Sequence, residues 1–157
     1  MEVINSLMTW ILKHRIRQIE RFKNNPHEVQ DEILLKLVST AKKTQFGKKY
    51  GFNHISSYED FARQTPTHDY EAIKPYIEQT MRGENNVIWP TEVTWFSKSS
   101  GTTSSRSKFI PVTEESLEEC HYKGGKDMLS LYINNYPDTK LFTGKSLSIG
   151  GSHQINH

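Results

Sequence analysis

Between Ser97 and Thr113 the chain reads SKSSGTTSSRSKFIPVT, a run of hydroxyl residues with one glycine and three cations, set between two apolar segments. Residues of these types suit an anion with many oxygens. Ser and Thr offer hydroxyl donors beside their own backbone N–H groups. Gly101 lets the backbone turn and come close to a ligand, and Lys108 or Arg106 adds positive charge. A triphosphate is the ligand such a loop would take. The same composition also describes a solvated Ser-rich linker, so composition alone leaves both readings open. Two other loop chemistries fail on spacing. A Walker A loop needs glycine directly before its lysine and Ser or Thr after it, whereas Ser107 precedes Lys108 and Phe109 follows. Ser105 and Lys108 match the Ser-x-x-Lys spacing of serine acyl-enzymes, but the partner motifs of those enzymes are missing.

The other reactive residue types favour plainer readings. His153 and His157 sit four apart, a metal spacing on a helix, yet they follow Gly-Gly-Ser and read as solvated. Cys120 lies beside Glu118, Glu119 and His121. Carboxylates raise a thiol's pKa, so it reads as a buried or semi-buried packing residue rather than a nucleophile. Trp89, Trp95 and Phe96 read as core, the last two near enough to the loop to line its base. Lys42, Lys43, Lys48 and Lys49 form a solvated basic cluster, and Gly150-Gly151-Ser152 a strand-end turn.

The elements that must hold the loop follow from periodicity. Ile4, Leu7, Met8, Ile11, Leu12, Ile16, Ile19 and Phe22 recur every three or four residues and predict a helix with a broad apolar stripe docked on its own core. Asn25-Pro26, with Glu28 placed for a capping box, predicts a restart into a second helix bearing Val29, Ile33, Leu34, Leu37, Val38 and Ala41 on one face. The two read as a helical hairpin over residues 1–43. TQFGKKYGF reads as a turn-rich connector. Ser57 and Asp69 are placed to cap the helices SYEDFARQ and YEAIKPYIEQTMRG, with Pro75 predicting a kink or break in the second. NNVIWP, EVTWFSK and KFIPV read as strands, Pro111 assigning the last to an edge. Thr113 caps a long helix strained at Gly124 and Gly125, and KSLSIGGS reads as a final strand and turn.

Composition bounds the function classes. The 157 residues are enough for one domain with a core, and 34% apolar with 24% charged residues is ordinary for a soluble protein. A net charge of +2 is too small to argue for nucleic acid or an anionic membrane surface. The single cysteine forms no internal disulfide and fits a reducing, cytoplasmic setting. The basic residues near the N-terminus follow its apolar ones, the reverse of a secretory signal. The chain ends just after a strand that lacks neighbours, which predicts the front part of a larger protein.

SSGTTSSRSKFIPVT resembles the first ATP-binding motif of the GH3 family, the auxin-responsive-promoter type of acyl-acid amido synthetases within the adenylate-forming superfamily. TQFGKKYGF, SYEDFARQTPTHDYEAIKPYIEQTMRGENNVIWP and LYINNYPDTKLFTGKSLSIGGS, in that order, also resemble the start of a GH3 protein. The family often carries a glycine where this chain has Ser104-Ser105, while the SSGTT core and the lysine are kept. The resemblance implies an α/β fold, the N-terminal portion of a GH3-like adenylate-forming large domain. It would be helix-rich with several short strands, residues 44–157 forming the α/β portion and a phosphate loop over 98–108 lying between two strands. It implies ATP and Mg2+ as cofactors and a carboxylic acid and an amino acid as substrates, joined through an acyl-adenylate. Ser99, Ser100, Gly101, Thr102, Thr103 and Lys108 are the implied ATP phosphate-binding residues, with no catalytic residue assigned. The adenosine-binding motifs, the acidic residue tied to magnesium and a mobile C-terminal domain would lie beyond His157, so the chain alone is expected to be inactive. The alternative is a non-catalytic binding or scaffold module that has kept the fold.

Overall fold

The apolar three-and-four spacing ahead of Asn25 forms a helix, α1 (Glu2–Asn24), and Pro26 opens the next, α2 (Pro26–Ala41). These come from a computed structural model that describes residues 2–99, 107–145 and 147. Pro26 takes the first helical position, where a missing N–H costs nothing. The capping box expected here does not form. Asn25 makes no side-chain cap bond, and Glu28 instead accepts from Arg21 Nη2 at 3.0 Å, beside a second bond from Arg21 to Glu32 at 2.6 Å.

TQFGKKYGF is more ordered than a connector. It forms a short helix, α3 (Gln45–Lys49), then a single 3₁₀ turn over Phe52–His54 entered through Gly51 at φ +63°. Next come α4 (Tyr58–Gln64) and α5 (Tyr70–Met81), capped by Ser57 and Asp69 as their side-chain types predict. α5 runs through Pro75 as one helix rather than two. NNVIWP is not a strand. Asn86 has φ 57°, and the carbonyls of Asn86 and Val87 accept the Gln45 and Phe46 N–H groups at 2.8 and 3.0 Å, so the segment covers the open N-terminus of α3.

Two strands are described, β1 (Trp95–Lys98) and β2 (Phe109–Val112), paired antiparallel with Trp95 opposite Val112 and Lys98 opposite Phe109. The described fold is therefore helix-rich with a small two-strand sheet rather than one with several strands. Thr113 and Ser116 form a reciprocal capping box on α6 (Glu114–Ser116). The backbone then widens into a π-helical stretch over Leu117–Tyr122 before α7 (Lys123–Asn135). The irregularity thus precedes the two glycines expected to cause it. Of KSLSIGGS, only Lys145 and Leu147 are among the described residues.

The chain divides into two compact units, Met1–Glu20 with Gly125–His157, and Arg21–Gly124. In the first, Leu12, Ser130 and Ile133 are buried, and the Arg15 guanidinium grips Asp127 with a fork of bonds at 2.5 and 3.0 Å. Leu7 and Ile11 of the expected core-facing stripe are exposed, as is Trp10 beside them. In the second, Val38, Ala41, Phe52 and Ile55 form the core, with Leu34, Phe46, Tyr50, Phe61 and Trp89 packed against it. No described helix is long and apolar enough to cross a membrane.

Candidate functional site

β1 and β2 present the two ends of the SSGTTSSRS segment side by side. The Ser99 N–H donates to the Lys108 carbonyl at 2.9 Å, and the Lys108 N–H donates to Ser99 Oγ at 2.9 Å. In a regular antiparallel pair the second bond would end on the Ser99 carbonyl. Here the hydroxyl takes it, and the ladder stops. Because Oγ accepts from Lys108, its own proton stays available for a further acceptor.

One step back along the strands, Lys98 and Phe109 are a pair not hydrogen-bonded to each other, so the Phe109 N–H and C=O face outward from the sheet. A third strand would normally occupy that edge. Tyr70 does so instead. Its hydroxyl accepts from the Phe109 N–H at 3.0 Å and lies 3.4 Å from the Phe109 carbonyl, toward which it donates. Lys108 Nζ sits 5.2 Å from the centroid of the same ring, within cation–π range. Tyr70 is the first residue of α5, and its place follows from the Asp69 cap, whose carboxylate accepts the Ala72 N–H at 2.8 Å. Sequence reasoning assigned Tyr70 only to a helix. Its partner lies 39 positions away, and no local pattern marks such a contact.

Beyond β2, Glu115 meets the segment before β1. Its carboxyl is held below the usual carboxylate range, first by its own backbone N–H, against the opposing effect of burial. The Trp89 indole and the Thr113 and Thr91 hydroxyls add to the lowering, Thr91 donating at 3.4 Å. Trp89 Nε1 is buried and makes no hydrogen bond of ordinary geometry, although it faces this carboxylate. The arrangement keeps Glu115 ionised and ties the two flanks of the hairpin together.

Of the residues assigned to phosphate binding, the fold brings Ser99 and Lys108 together at the hairpin's open end, the first half-buried and the second exposed. Ser100, Gly101, Thr102 and Thr103 lie outside the described residues. The Ser99 hydroxyl can still donate its proton while accepting from Lys108, and an ammonium group only donates, so both could donate to the phosphates of ATP. Among the described residues no three carboxylate, imidazole or thiol groups converge to hold a metal.

The remaining sequence candidates divide. Lys42, Lys43 and Lys48 are exposed, while Lys49 donates to the Tyr76 hydroxyl at 2.9 Å. Cys120 is exposed rather than packed, since it lies in the widened stretch, where no residue is buried. Trp95 is 59% exposed and so is not core, whereas Trp89 packs on the core as expected. His153, His157 and Gly150-Gly151-Ser152 lie outside the described residues.

The profile of the GH3 family N-terminal domain matches residues 15–157. The chain is 28% identical over 121 residues to the indole-3-acetic acid-amido synthetase GH3.2 of Arabidopsis thaliana, covering 75% of this chain and 22% of that protein. It is 27% identical over 133 residues to the 4-substituted benzoates-glutamate ligase GH3.12 of the same plant, covering 74% and 23%. Among solved structures, the GH3.15 acyl acid amido synthetase superposes with a TM-score of 0.69 at 24% identity over 78% of this chain and 22% of that one, a likeness of fold. The chain spans about a fifth of the length of the relatives it matches.

Proposed function

The chain belongs to the GH3 family, and from that premise we propose that, at the length of its relatives, the protein is an ATP-dependent ligase joining a carboxylic acid to the amine of an amino acid. The relatives support the reaction class: one is named for amide formation on indole-3-acetic acid, another for ligation of 4-substituted benzoates to glutamate. In the proposed sequence the carboxylate attacks the α-phosphate of ATP, the bond to the β-phosphate breaks, and acyl-adenylate and pyrophosphate form. The amine then attacks the acyl carbon, AMP leaves, and the amine gives up a proton. The cytoplasm is the proposed setting, a reducing compartment in which the exposed Cys120 thiol stays free.

The observation that most supports the reading is the open end of the hairpin, where the Ser99 hydroxyl and the Lys108 backbone meet at the two roots of the SSGTTSSRS segment. Negative charge grows on the β-phosphate oxygens as pyrophosphate departs. Donors fixed in place before the reaction stabilise that charge without reorganising. Ser99, Ser100, Gly101, Thr102, Thr103 and Lys108 are the proposed phosphate contacts. Removing one such donor is worth on the order of 3 kcal/mol in the barrier.

The test is acid-dependent exchange between ATP and labelled pyrophosphate in the full-length protein, across a panel of aryl and alkyl carboxylic acids. The double variant Thr102→Val, Thr103→Val is expected to lower exchange by at least about 100-fold while leaving the melting temperature unchanged. Undiminished exchange in that variant would remove the phosphate role. Absence of exchange with every acid, in a folded parent protein, would favour the non-catalytic module.

A further inference from the structure

We propose that Tyr70 is the positioning residue of the phosphate site, fixing Lys108 and Ser99 through the outer edge of β2; the inference rests on the ligase reading above. Three contacts meet on this one side chain. Its hydroxyl receives the Phe109 N–H at 3.0 Å and points toward the Phe109 carbonyl at 3.4 Å, and its ring lies under the Lys108 ammonium at 5.2 Å. Phe109 follows Lys108 directly, and Lys108 in turn is bonded in both directions to Ser99.

The physical need for such a residue is plain. A two-strand hairpin is marginal by itself in water, and its outer edges offer unpaired N–H and C=O groups. Phe109 is the residue at which looseness in β2 would pass straight to the lysine. A phenol, unlike an amide or an aliphatic side chain, can accept from N–H, donate to C=O and offer a ring face to a cation at once. Tyr70 is itself held in place. It opens a helix whose cap, Asp69, bonds the Ala72 N–H, and two residues before it His68 Nε2 lies 2.7 Å from the Tyr50 hydroxyl at the rim of the core. The chain of contacts runs from core to α5, to the edge of β2, to Lys108. Tyr70 touches no reacting atom in this scheme and acts through the lysine.

A double-mutant cycle on the full-length protein tests this. Tyr70→Phe keeps the ring under Lys108 and removes both hydroxyl bonds. Tyr70→Leu removes the ring as well, and Lys108→Met removes the charge. With kcat and KM of pyrophosphate exchange measured separately for ATP and acid, Tyr70→Phe is expected to lower kcat/KM for ATP about 10-fold and Tyr70→Leu about 30-fold. The KM for the acid should change less than twofold. In the Lys108→Met background the Tyr70→Phe loss is expected to shrink below twofold, because the residue through which Tyr70 acts is gone. Amide hydrogen exchange at Phe109 should quicken in both Tyr70 variants. Equal losses of Tyr70→Phe in both backgrounds, or losses in ATP and acid parameters that merely track a fall in melting temperature, would overturn the positioning role while the ligase reading stood. A parent protein without exchange activity would overturn both.

Discussion

At the scale of single residues, Gly47 and Thr44 decide how α2 turns into α3. Thr44 is fully buried, its hydroxyl donating to the Ala41 carbonyl at 2.7 Å and accepting the Gly47 N–H at 3.0 Å. Both bonds are made inside the protein, where an unmet partner is costly. That geometry draws Gly47 onto the end of α2 so closely that a Cβ would stand 2.2 Å from the Ala41 carbonyl oxygen. The obstacle is backbone, so no rotamer change relieves it. Gly47→Ala is expected to destabilise the chain by about 3 kcal/mol, the upper end of ordinary overpacking costs, read as a lower midpoint in urea unfolding. An unchanged midpoint would mean that α3 can swing away from α2 at little cost. Tyr70 belongs to the same class of residue, ordinary in sequence and decisive by placement.

At the scale of elements, the helix starts carry most of what local chemistry can specify. α4 begins with Ser57 accepting the Asp60 N–H at 3.2 Å, while Asp60 Oδ2 reaches back to the Ser56 N–H at 3.1 Å and the Ser56 hydroxyl at 2.8 Å. The Ser56 hydroxyl, then the Ser56 N–H, hold the Asp60 carboxyl below its ordinary range, with smaller help from Arg63 and Ser57 and opposition from burial. A carboxyl whose pKa is lower folded than unfolded stabilises the fold above the unfolded value, about 3.9. That contribution is lost as pH falls through the lower, folded value. The stability gap between the parent chain and Asp60→Asn should therefore be widest above about pH 5 and close toward about pH 2. A gap that stayed constant across urea unfolding curves over that range would show that the ionised form is not favoured. The caps at Ser57, Asp69 and Thr113 are legible from side-chain type and spacing. The Asn25 box is not, because Arg21 competes for Glu28 from the preceding helix.

At the scale of the whole molecule, the candidate site is one hairpin end carrying a half-buried hydroxyl and an exposed ammonium. Exposed charge pairs in water yield little net attraction, on the order of 1 kcal/mol or less. The chain spans about a fifth of the length of its relatives. The isolated 157 residues are expected to show no ATP binding by calorimetry tighter than about 1 mM, whereas the full-length protein shows acid-dependent exchange. Micromolar ATP binding by the 157 residues would mean that they hold an adenosine pocket of their own.

How much of this was readable in the residues varies with the range of the interaction. Most helix positions, three of four expected caps, the two strands flanking the Ser/Thr segment and the family itself follow from patterns within a few residues or from ordered motifs, though α3 does not. NNVIWP shows the opposite case. Its β-branched and aromatic residues favour a strand, yet its backbone ends up covering the N-terminus of α3, forty residues earlier in the chain. Tyr70 meeting Phe109 and Glu115 meeting Thr91 belong to the same kind, contacts between segments that no local rule relates. Local chemistry is enough to say which residues favour helix, turn or strand, and which segment has the composition to face phosphate. That Ser99 and Lys108 share one hairpin end, and that a tyrosine from a distant helix takes the place of a third strand there, follows from long-range packing alone. Hydrogen-bonding groups left open by one segment must be met by whatever packing brings near, and that packing belongs to the whole chain.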